Sequence, residues 1–274
     1  MADAGQGSYL ALTIMLSPDN KHALTRAHYP RSNAYDPSWV FANEMGPNAL
    51  WLMEWLCDAI ELRPGMRVLD MGCGRAMSSV FLAREFGVQV WANDLWIAAS
   101  ENWERVCAAG VQEFVFPIHA EAHQLPYADD FFDVILSVDS YHYYGTDDLY
   151  LASITRFLKP GGLFGIVVPG LVREFDDDVV PEHLADFWDP RECFSFHTLE
   201  WWRRHLSASR ILDLQVADML EGGAREWAAF VAAQVAAGAT TREWTAAEGE
   251  QVAVDDGQYL GFIRAAGQLA EKAA

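Results

Sequence analysis

The sequence predicts an α/β protein with a doubly wound fold on a mostly parallel seven-stranded sheet. Three observations carry that reading. Near-continuous apolar runs such as Val134-Ile135-Leu136 and Leu163-Phe164-Gly165-Ile166-Val167-Val168 suit strands buried on both faces. Segments with apolar residues at spacings of three and four alternate with those runs, as crossover helices do. A glycine turn, Gly72-Cys73-Gly74, joins the first such strand to the first such helix, where backbone can approach a ligand closely.

Taken in order, residues 1–45 read as a helical N-terminal appendage of mixed order, and 46–274 as the main domain. Gly46-Pro47 opens an amphipathic helix carrying Leu50, Met53, Trp55 and Leu56, and Arg63-Pro64-Gly65 stops it. Arg67 to Met71 is the first strand, and Met77, Val80 and Phe81 mark the next helix. Val88 to Asn93 is the second strand, followed by a helix through Trp96, Ala99, Trp103 and Val106. Phe114 to Ile118 and Asp133 to Val138 give the third and fourth strands. Thr146 is the expected cap of a helix that carries Tyr150, Ile154 and Phe157 and ends at Lys159-Pro160-Gly161-Gly162.

The fifth strand covers Leu163 to Val168. Residues 171–206 are expected to be a lid or substrate insert: 171–197 are acidic, aromatic and too long for an ordinary connection, and Thr198 then caps a helix with Leu199, Trp202 and Leu206. Leu212, Leu214 and Val216 alternate with polar residues in a half-exposed strand near an edge; helices over 224–237 and about 242–254 and a strand at Tyr259 to Ile263 complete the fold.

Composition narrows the function. A net charge of −20 over 274 residues repels phosphate backbones, so nucleic acid is not expected as a partner. No apolar run reaches the roughly 18 to 20 residues that span a bilayer, and the start lacks a basic signal region. Cys57, Cys73, Cys107 and Cys193 form no CxxC pair, so a reducing cytoplasm is the expected setting. His119, Glu121 and His123 alternate, but Leu125-Pro126 marks a loop there, and no metal is expected. Association into a homo-oligomer stays open.

The sharpest motif is Asp70-Met71-Gly72-Cys73-Gly74. A dinucleotide fingerprint needs a small residue at position 77, where Met77 stands, and Asp70 would repel a pyrophosphate but could orient a cationic amino-acid head group. Asp94 ends the second strand, placed to accept from ribose hydroxyls or to cap the helix at Trp96. On these residues the chain resembles the class I S-adenosylmethionine-dependent methyltransferases. Glu121-Ala122-His123-Gln124-Leu125-Pro126-Tyr127 is similar to a stretch of their small-molecule branch, which includes ubiquinone, menaquinone and sterol methyltransferases and adjoins the cyclopropane-fatty-acid synthases. Phe132-Asp133-Val134-Ile135-Leu136-Ser137 and Leu158-Lys159-Pro160-Gly161-Gly162 complete the pattern over about residues 46 to 170. The resemblance implies a Rossmann-like methyltransferase fold, S-adenosyl-L-methionine as cofactor, and cofactor contacts at Asp70, Gly72, Cys73, Gly74, Asp94, Leu95, Glu121, Ala122 and Ser137.

In that family the turn after the fourth strand faces the transferred methyl, which places Asp139, Tyr141, His142, Tyr143 and Tyr144 beside it. His142 is the first candidate base, because an imidazole titrates near neutrality, and Asp139 is the second. Tyr141, Tyr143 and Tyr144 are expected to hold substrate or sulfonium, with His197, Trp201 and Trp202 closing the pocket from the insert and Tyr29 and Tyr35 from the N-terminal segment. The expected acceptor is a small, at least partly apolar or aromatic molecule, with C, N and O all open as the methylated atom. The alternatives are a nicotinamide-dependent oxidoreductase, disfavoured by Met77 and Asp70, and an inactive cofactor-fold binding partner, disfavoured by the intact glycine motif.

Overall fold

The computed structural model describes residues 22–239 and 243–270; residues 1–21, the first part of the expected appendage, lie outside the described residues. From residue 22 the chain forms a turn at Ser32–Ala34 that is anchored from below by Glu54. This buried carboxylate accepts from Arg31 N at 2.9 Å, Ser32 N at 2.8 Å and Ser32 Oγ at 2.6 Å. Helix α1 (Pro37–Asn43) has Pro at its first turn and Asp36 as cap, accepting from Ser38 N at 2.7 Å.

Helix α2 (Ala49–Cys57) begins after Gly46-Pro47, with the Asn48 side chain accepting from Leu50 N at 3.1 Å. Leu50 to Leu56 are all buried, so α2 is not the half-exposed helix that its pattern suggests. The N-terminal segment covers its outer face: Tyr29 stacks on Trp51 at 5.8 Å, and Leu24, Tyr29, Tyr35 and Val40 join the same core as α2.

The alternation then follows in order: β1 (Arg67–Met71), α3 (Met77–Phe86), β2 (Gln89–Asp94), α4 (Ala99–Ala108), β3 (Val115–His119), β4 (Phe132–Val138), α5 (Tyr150–Thr155) and β5 (Leu158–Leu171). The C-terminal part adds α6 (Pro190–Cys193), α7 (Leu199–Ala208), β6 (Leu212–Met219), α8 (Gly223–Ala236), α9 (Glu243–Asp255) and β7 (Leu260–Leu269). The seven strands lie in the order β3-β2-β1-β4-β5-β7-β6. Pairs β1–β2, β1–β4, β2–β3 and β4–β5 are parallel, whereas β7 is antiparallel to both β5 and β6. The sheet is therefore mixed, with β7 alone running against the rest. Strand order turns outward from β1 and β4, and the crevice beyond their C-terminal ends is where an open α/β sheet binds ligands.

Several boundaries differ from the sequence reading. Lys159-Pro160-Gly161-Gly162 does not stop a helix but belongs to the start of β5, where the register with β4 is irregular. A Cβ on Gly162 would lie 2.9 Å from the Lys159 carbonyl and 3.1 Å from that of Asp133, which explains glycine there. Helix α5 starts at Tyr150, preceded by a turn in which Asp147, not Thr146, accepts from Leu149 N at 2.7 Å. The insert folds into short turns at Asp176–Asp178 and Glu182–Leu184 and into α6. His183 pins it to the buried Asp255 at 3.0 Å, whose other oxygen accepts from Leu260 N at 2.9 Å. Strand β6 lies at the sheet edge, as its alternation predicts. No helix among the described residues is long and apolar enough to cross a membrane.

Candidate functional site

The glycine turn leaves β1 with Gly72 at φ +70° and Gly74 at φ +53°, left-handed values that favour glycine. The backbone N–H groups of Gly72 and Cys73 both donate to the Asn93 carbonyl, at 2.8 and 3.0 Å. Gly74 N donates to Asp94 Oδ2 at 2.8 Å, and Asn102 Nδ2 of α4 donates to the Gly74 carbonyl at 2.8 Å. A Cβ on Gly72 would lie 1.8 Å from Ser140 Oγ, so the β4 loop alone requires glycine here. Cys73 is buried and its thiol is pushed well above the usual range by burial, which makes it unreactive.

Asp70 does not face the crevice. It is buried against the first turn of α3, where its Oδ2 accepts from Ser78 Oγ and Ser79 Oγ, both at 2.6 Å. Burial pushes its ionisation up to about 6, and the two hydroxyls hold it from rising further. Its side chain lies beneath the turn, where it fixes the start of α3 and does not line the crevice.

Asp94 ends β2, lines the crevice and is almost filled: besides Gly74 N, its Oδ1 accepts from Trp96 N at 2.7 Å and Ile97 N at 2.9 Å. It caps the following turn, and the lone pairs remaining on a four-site carboxylate are what a ribose hydroxyl could use. Its neighbour Asn93 is buried, donates from Nδ2 to the Ala120 carbonyl at 3.2 Å, and has its Oδ1 without a protein partner. Leu95 and Trp96 follow, exposed at the rim. Beyond β3, Glu121 and Ala122 also line the crevice. Glu121 accepts from His123 N at 2.9 Å and meets His123 Nδ1 at 2.8 Å, and the imidazole hydrogen bond holds its carboxyl below the usual range.

The β4 turn divides its polar residues between two sides. Asp139 lines the crevice, with a left-handed φ of +53° that turns its side chain toward Gly46; a Cβ there would lie 2.7 Å from Asp139 Oδ2. Burial raises its ionisation to about 8. Tyr143 and Tyr144 line the crevice too. The Tyr144 hydroxyl ties the ends of β1 and β4, meeting Ser137 Oγ at 3.1 Å, accepting from Ser140 Oγ at 3.2 Å and donating to the Met71 carbonyl at 3.4 Å. Ser137 itself donates to the Met71 carbonyl at 2.9 Å and stays behind the wall.

His142 and Tyr141 point away from the crevice, contrary to expectation. His142 is 2% exposed, packs edge-on to Phe196 of the insert at 5.6 Å and leaves Nδ1 unpartnered. Burial depresses its ionisation to about 3, so the imidazole is neutral. Tyr141 sits under α7, 6.0 Å from the Trp202 ring. His197 stacks on Trp201 at 3.7 Å, and none of residues 171–206 lines the crevice. Tyr29 and Tyr35 also lie elsewhere, donating to Glu226 at 2.9 Å and Glu85 at 3.1 Å. The roof comes instead from Asn43, Met45, Gly46 and Pro47, which Arg75 ties down through the carbonyls of Ala42 and Glu44 at 3.4 and 3.2 Å.

Sequence reasoning missed this strap, read only as a helix start, and missed Asn93, Arg75, Ser140 and Trp96. An asparagine or tryptophan beside a motif carries no local signal, and only Arg75, adjacent to Gly74, could have been singled out. Trp96 (67% exposed) and Tyr143 (48% exposed) meet edge-on at 5.6 Å, an aromatic pair at the mouth. The whole encloses about 280 Å³, close to the lower bound of small-molecule sites. The lining can hold a nucleoside by Asn93, Asp94 and Glu121 and can take a proton at Asp139.

Residues 69–166 match a family model described as a methyltransferase domain. The matched segment is a little over a third of the chain. It contains the glycine turn, Asp94, Glu121 and Asp139, while the strap lies outside it. The chain is similar to methyltransferase GfsG of Streptomyces halstedii, 32% identical over 174 residues, or 62% of this chain and 57% of that protein. It is similar to the ubiquinone/menaquinone biosynthesis C-methyltransferase UbiE of Vibrio parahaemolyticus, 32% identical over 157 residues and 56% of each chain. It thus spans little more than half the length of these relatives. Among solved structures the [4+2]-cyclase SpnF superposes with a TM-score of 0.64 at 17% identity, covering 80% of both chains. A cyclase on the same architecture means that the fold does not choose the reaction.

Proposed function

We propose that this chain transfers a methyl group from S-adenosylmethionine to a small, uncharged and partly apolar acceptor. One observation carries the reading. The glycine turn, Asp94, Glu121-Ala122 and Asp139 come from the ends of four parallel strands and line one crevice at the switch point. The residues fit the cofactor. Asp94 keeps acceptor capacity for ribose hydroxyls, the buried and unpartnered Asn93 Oδ1 offers an acceptor to a donor of the nucleoside, and Glu121-Ala122 flank the adenine position. Bound there, S-adenosylmethionine supplies an electrophilic sulfonium methyl.

The chain's own residues do the rest. The strap of Met45, Gly46 and Pro47 roofs the crevice and excludes water. Trp96 and Tyr143 present ring faces and edges to an apolar acceptor at the mouth. Asp139, rather than His142, takes the acceptor's proton, because it alone of the two candidates lines the crevice. Arg75 is the only Lys or Arg lining it among the described residues, and its Nη1 is committed to the strap carbonyls. A phosphate-bearing acceptor would have only the remaining N–H groups of Arg75 to meet it, so an uncharged acceptor suits the lining better.

The test has two stages. Calorimetry with S-adenosylhomocysteine should show one site per chain, and absence of binding by both cofactor forms would defeat the reading. Incubation with S-adenosylmethionine and fractionated metabolites should then yield an uncharged product heavier by one methyl.

A further inference from the structure

Asp139 is an unusual carboxyl for its position. It lines the crevice, yet among the described residues no hydrogen-bond donor reaches its side chain, and it is not among the fully buried orphans, so it opens toward the ligand space. Its backbone fixes it there: Asp139 N donates to the Val167 carbonyl at 2.8 Å, and its φ of +53° is one that a non-glycine residue holds only at a cost of about 1 kcal/mol or more. Gly46 closes against Oδ2, so the strap both shields the group and holds it in place.

Among the described residues, the charged and titratable side chains sharing the crevice are Cys73 and Arg75 from the turn between β1 and α3, Asp94 from β2, Glu121 and His123 after β3, and the phenols of Tyr143 and Tyr144 beside Asp139. Arg75 reaches the strap carbonyls, His123 pairs with Glu121, and Asp94 holds three backbone N–H groups. His142, three residues on, is buried on the other side of the turn. Among the described residues no cation reaches Asp139, and desolvation is what raises its ionisation.

We propose that entry of the cationic cofactor ionises Asp139, so that the base becomes competent only in the cofactor-bound enzyme. This rests on the methyltransferase reading. The Asp139 carboxylic acid would release its proton to solvent on cofactor binding; in the transfer, an acceptor O or N would form its bond to methyl as the S–CH3 bond breaks, its electron pair staying on sulfur to leave the neutral thioether, and the Asp139 carboxylate would take the acceptor's O–H or N–H proton. A positive charge brought beside a desolvated carboxyl favours its ionised form. In the ligand-free cleft, with ionisation near 8, about nine-tenths of the Asp139 groups are protonated at pH 7. The device keeps the ionised carboxylate out of the crevice until the methyl donor is seated.

The experiment is isothermal titration of the full chain at pH 7 in buffers of different ionisation enthalpy, which counts protons exchanged on binding. S-adenosylmethionine should release up to about 0.9 proton per site, S-adenosylhomocysteine, with a neutral sulfur, markedly less, and Asp139→Asn should bind the sulfonium form with no release from this group. Equal release with the two ligands, or release unchanged in Asp139→Asn, overturns the proposal. Failure of the wild-type chain to bind either ligand overturns the methyltransferase reading instead. Should Asp139→Asn not fold, infrared difference spectra of the wild type decide: a protonated-carboxyl band must disappear on adding S-adenosylmethionine, and its persistence refutes ionisation.

Discussion

Replacing Gly72 by alanine tests what the glycine turn is for. A motif glycine is ordinarily explained by close approach of a ligand, but here a Cβ would lie 1.8 Å from Ser140 Oγ and 2.4 Å from Ser140 Cβ, inside the protein itself. The backbone at φ +70° adds a second cost. Holding alanine in the left-handed region costs about 1–2 kcal/mol, and forcing a methyl into a filled contact costs about 1–3 kcal/mol, so Gly72→Ala should destabilise the fold by roughly 2–5 kcal/mol. Urea unfolding followed by far-UV dichroism and tryptophan fluorescence measures this through the midpoint at constant slope. Adding Ser140→Gly removes both clashing atoms and leaves only the Tyr144 hydroxyl at 3.6 Å, an ordinary contact. The double variant should regain the overpacking share, about 1–3 kcal/mol, and retain the backbone share. A single variant within about 0.5 kcal/mol of wild type, or strictly additive effects of the two changes, would show that the clash is not what the position guards against. Homocysteine-cofactor affinity measured alongside sharpens the point: recovery in the double variant assigns the glycine to the fold, and no recovery assigns it to the ligand.

Further outcomes are expected. His142→Phe should leave turnover within about threefold and stability near or above wild type, since it removes a buried unpartnered nitrogen that costs about 1–3 kcal/mol; a hundredfold loss of rate would return His142 to the crevice. Because burial lowers the His142 ionisation from its ordinary 6.5 to about 3, the unfolded chain binds the extra proton between those values, so stability is full above pH 6.5 and falls on acidification. The melting temperature of wild type should therefore drop more between pH 7 and pH 5 than that of His142→Phe. For catalysis, kcat/KM for the cofactor should rise with pH up to about 8, where free Asp139 ionises, while kcat levels off at lower pH; Asp139→Asn should remove the dependence and about 10²–10⁴ of the rate. Glu54→Gln should cost roughly 2–3 kcal/mol and raise hydrogen exchange over residues 22–36, because one amide oxygen cannot replace a carboxylate that accepts from Arg31 and Ser32; unchanged exchange would show that the segment is held elsewhere.

The sequence by itself determined the alternation of strands and helices, the glycine turn and the acid at the end of β2. Each of these is written in local terms: periodicity of 2 or 3.6, a run of apolar residues, a glycine where the backbone must turn left-handed. It also named the turn after β4 as the place for chemistry, since strand order in a doubly wound sheet carries that turn to the switch point. It ranked His142 ahead of Asp139 as the candidate base, whereas only Asp139 lines the crevice. Three residues apart on one tight turn, they face opposite sides, and a single left-handed φ at Asp139 together with Phe196 packed over His142 makes that division. It could not show that Asp70 serves two serines of α3, or that Met45, Gly46 and Pro47 roof the crevice. Those assignments rest on contacts between segments far apart in the chain, which only the packed structure decides: a side chain's direction in a loop follows from one dihedral angle and from whatever distant surface closes over it.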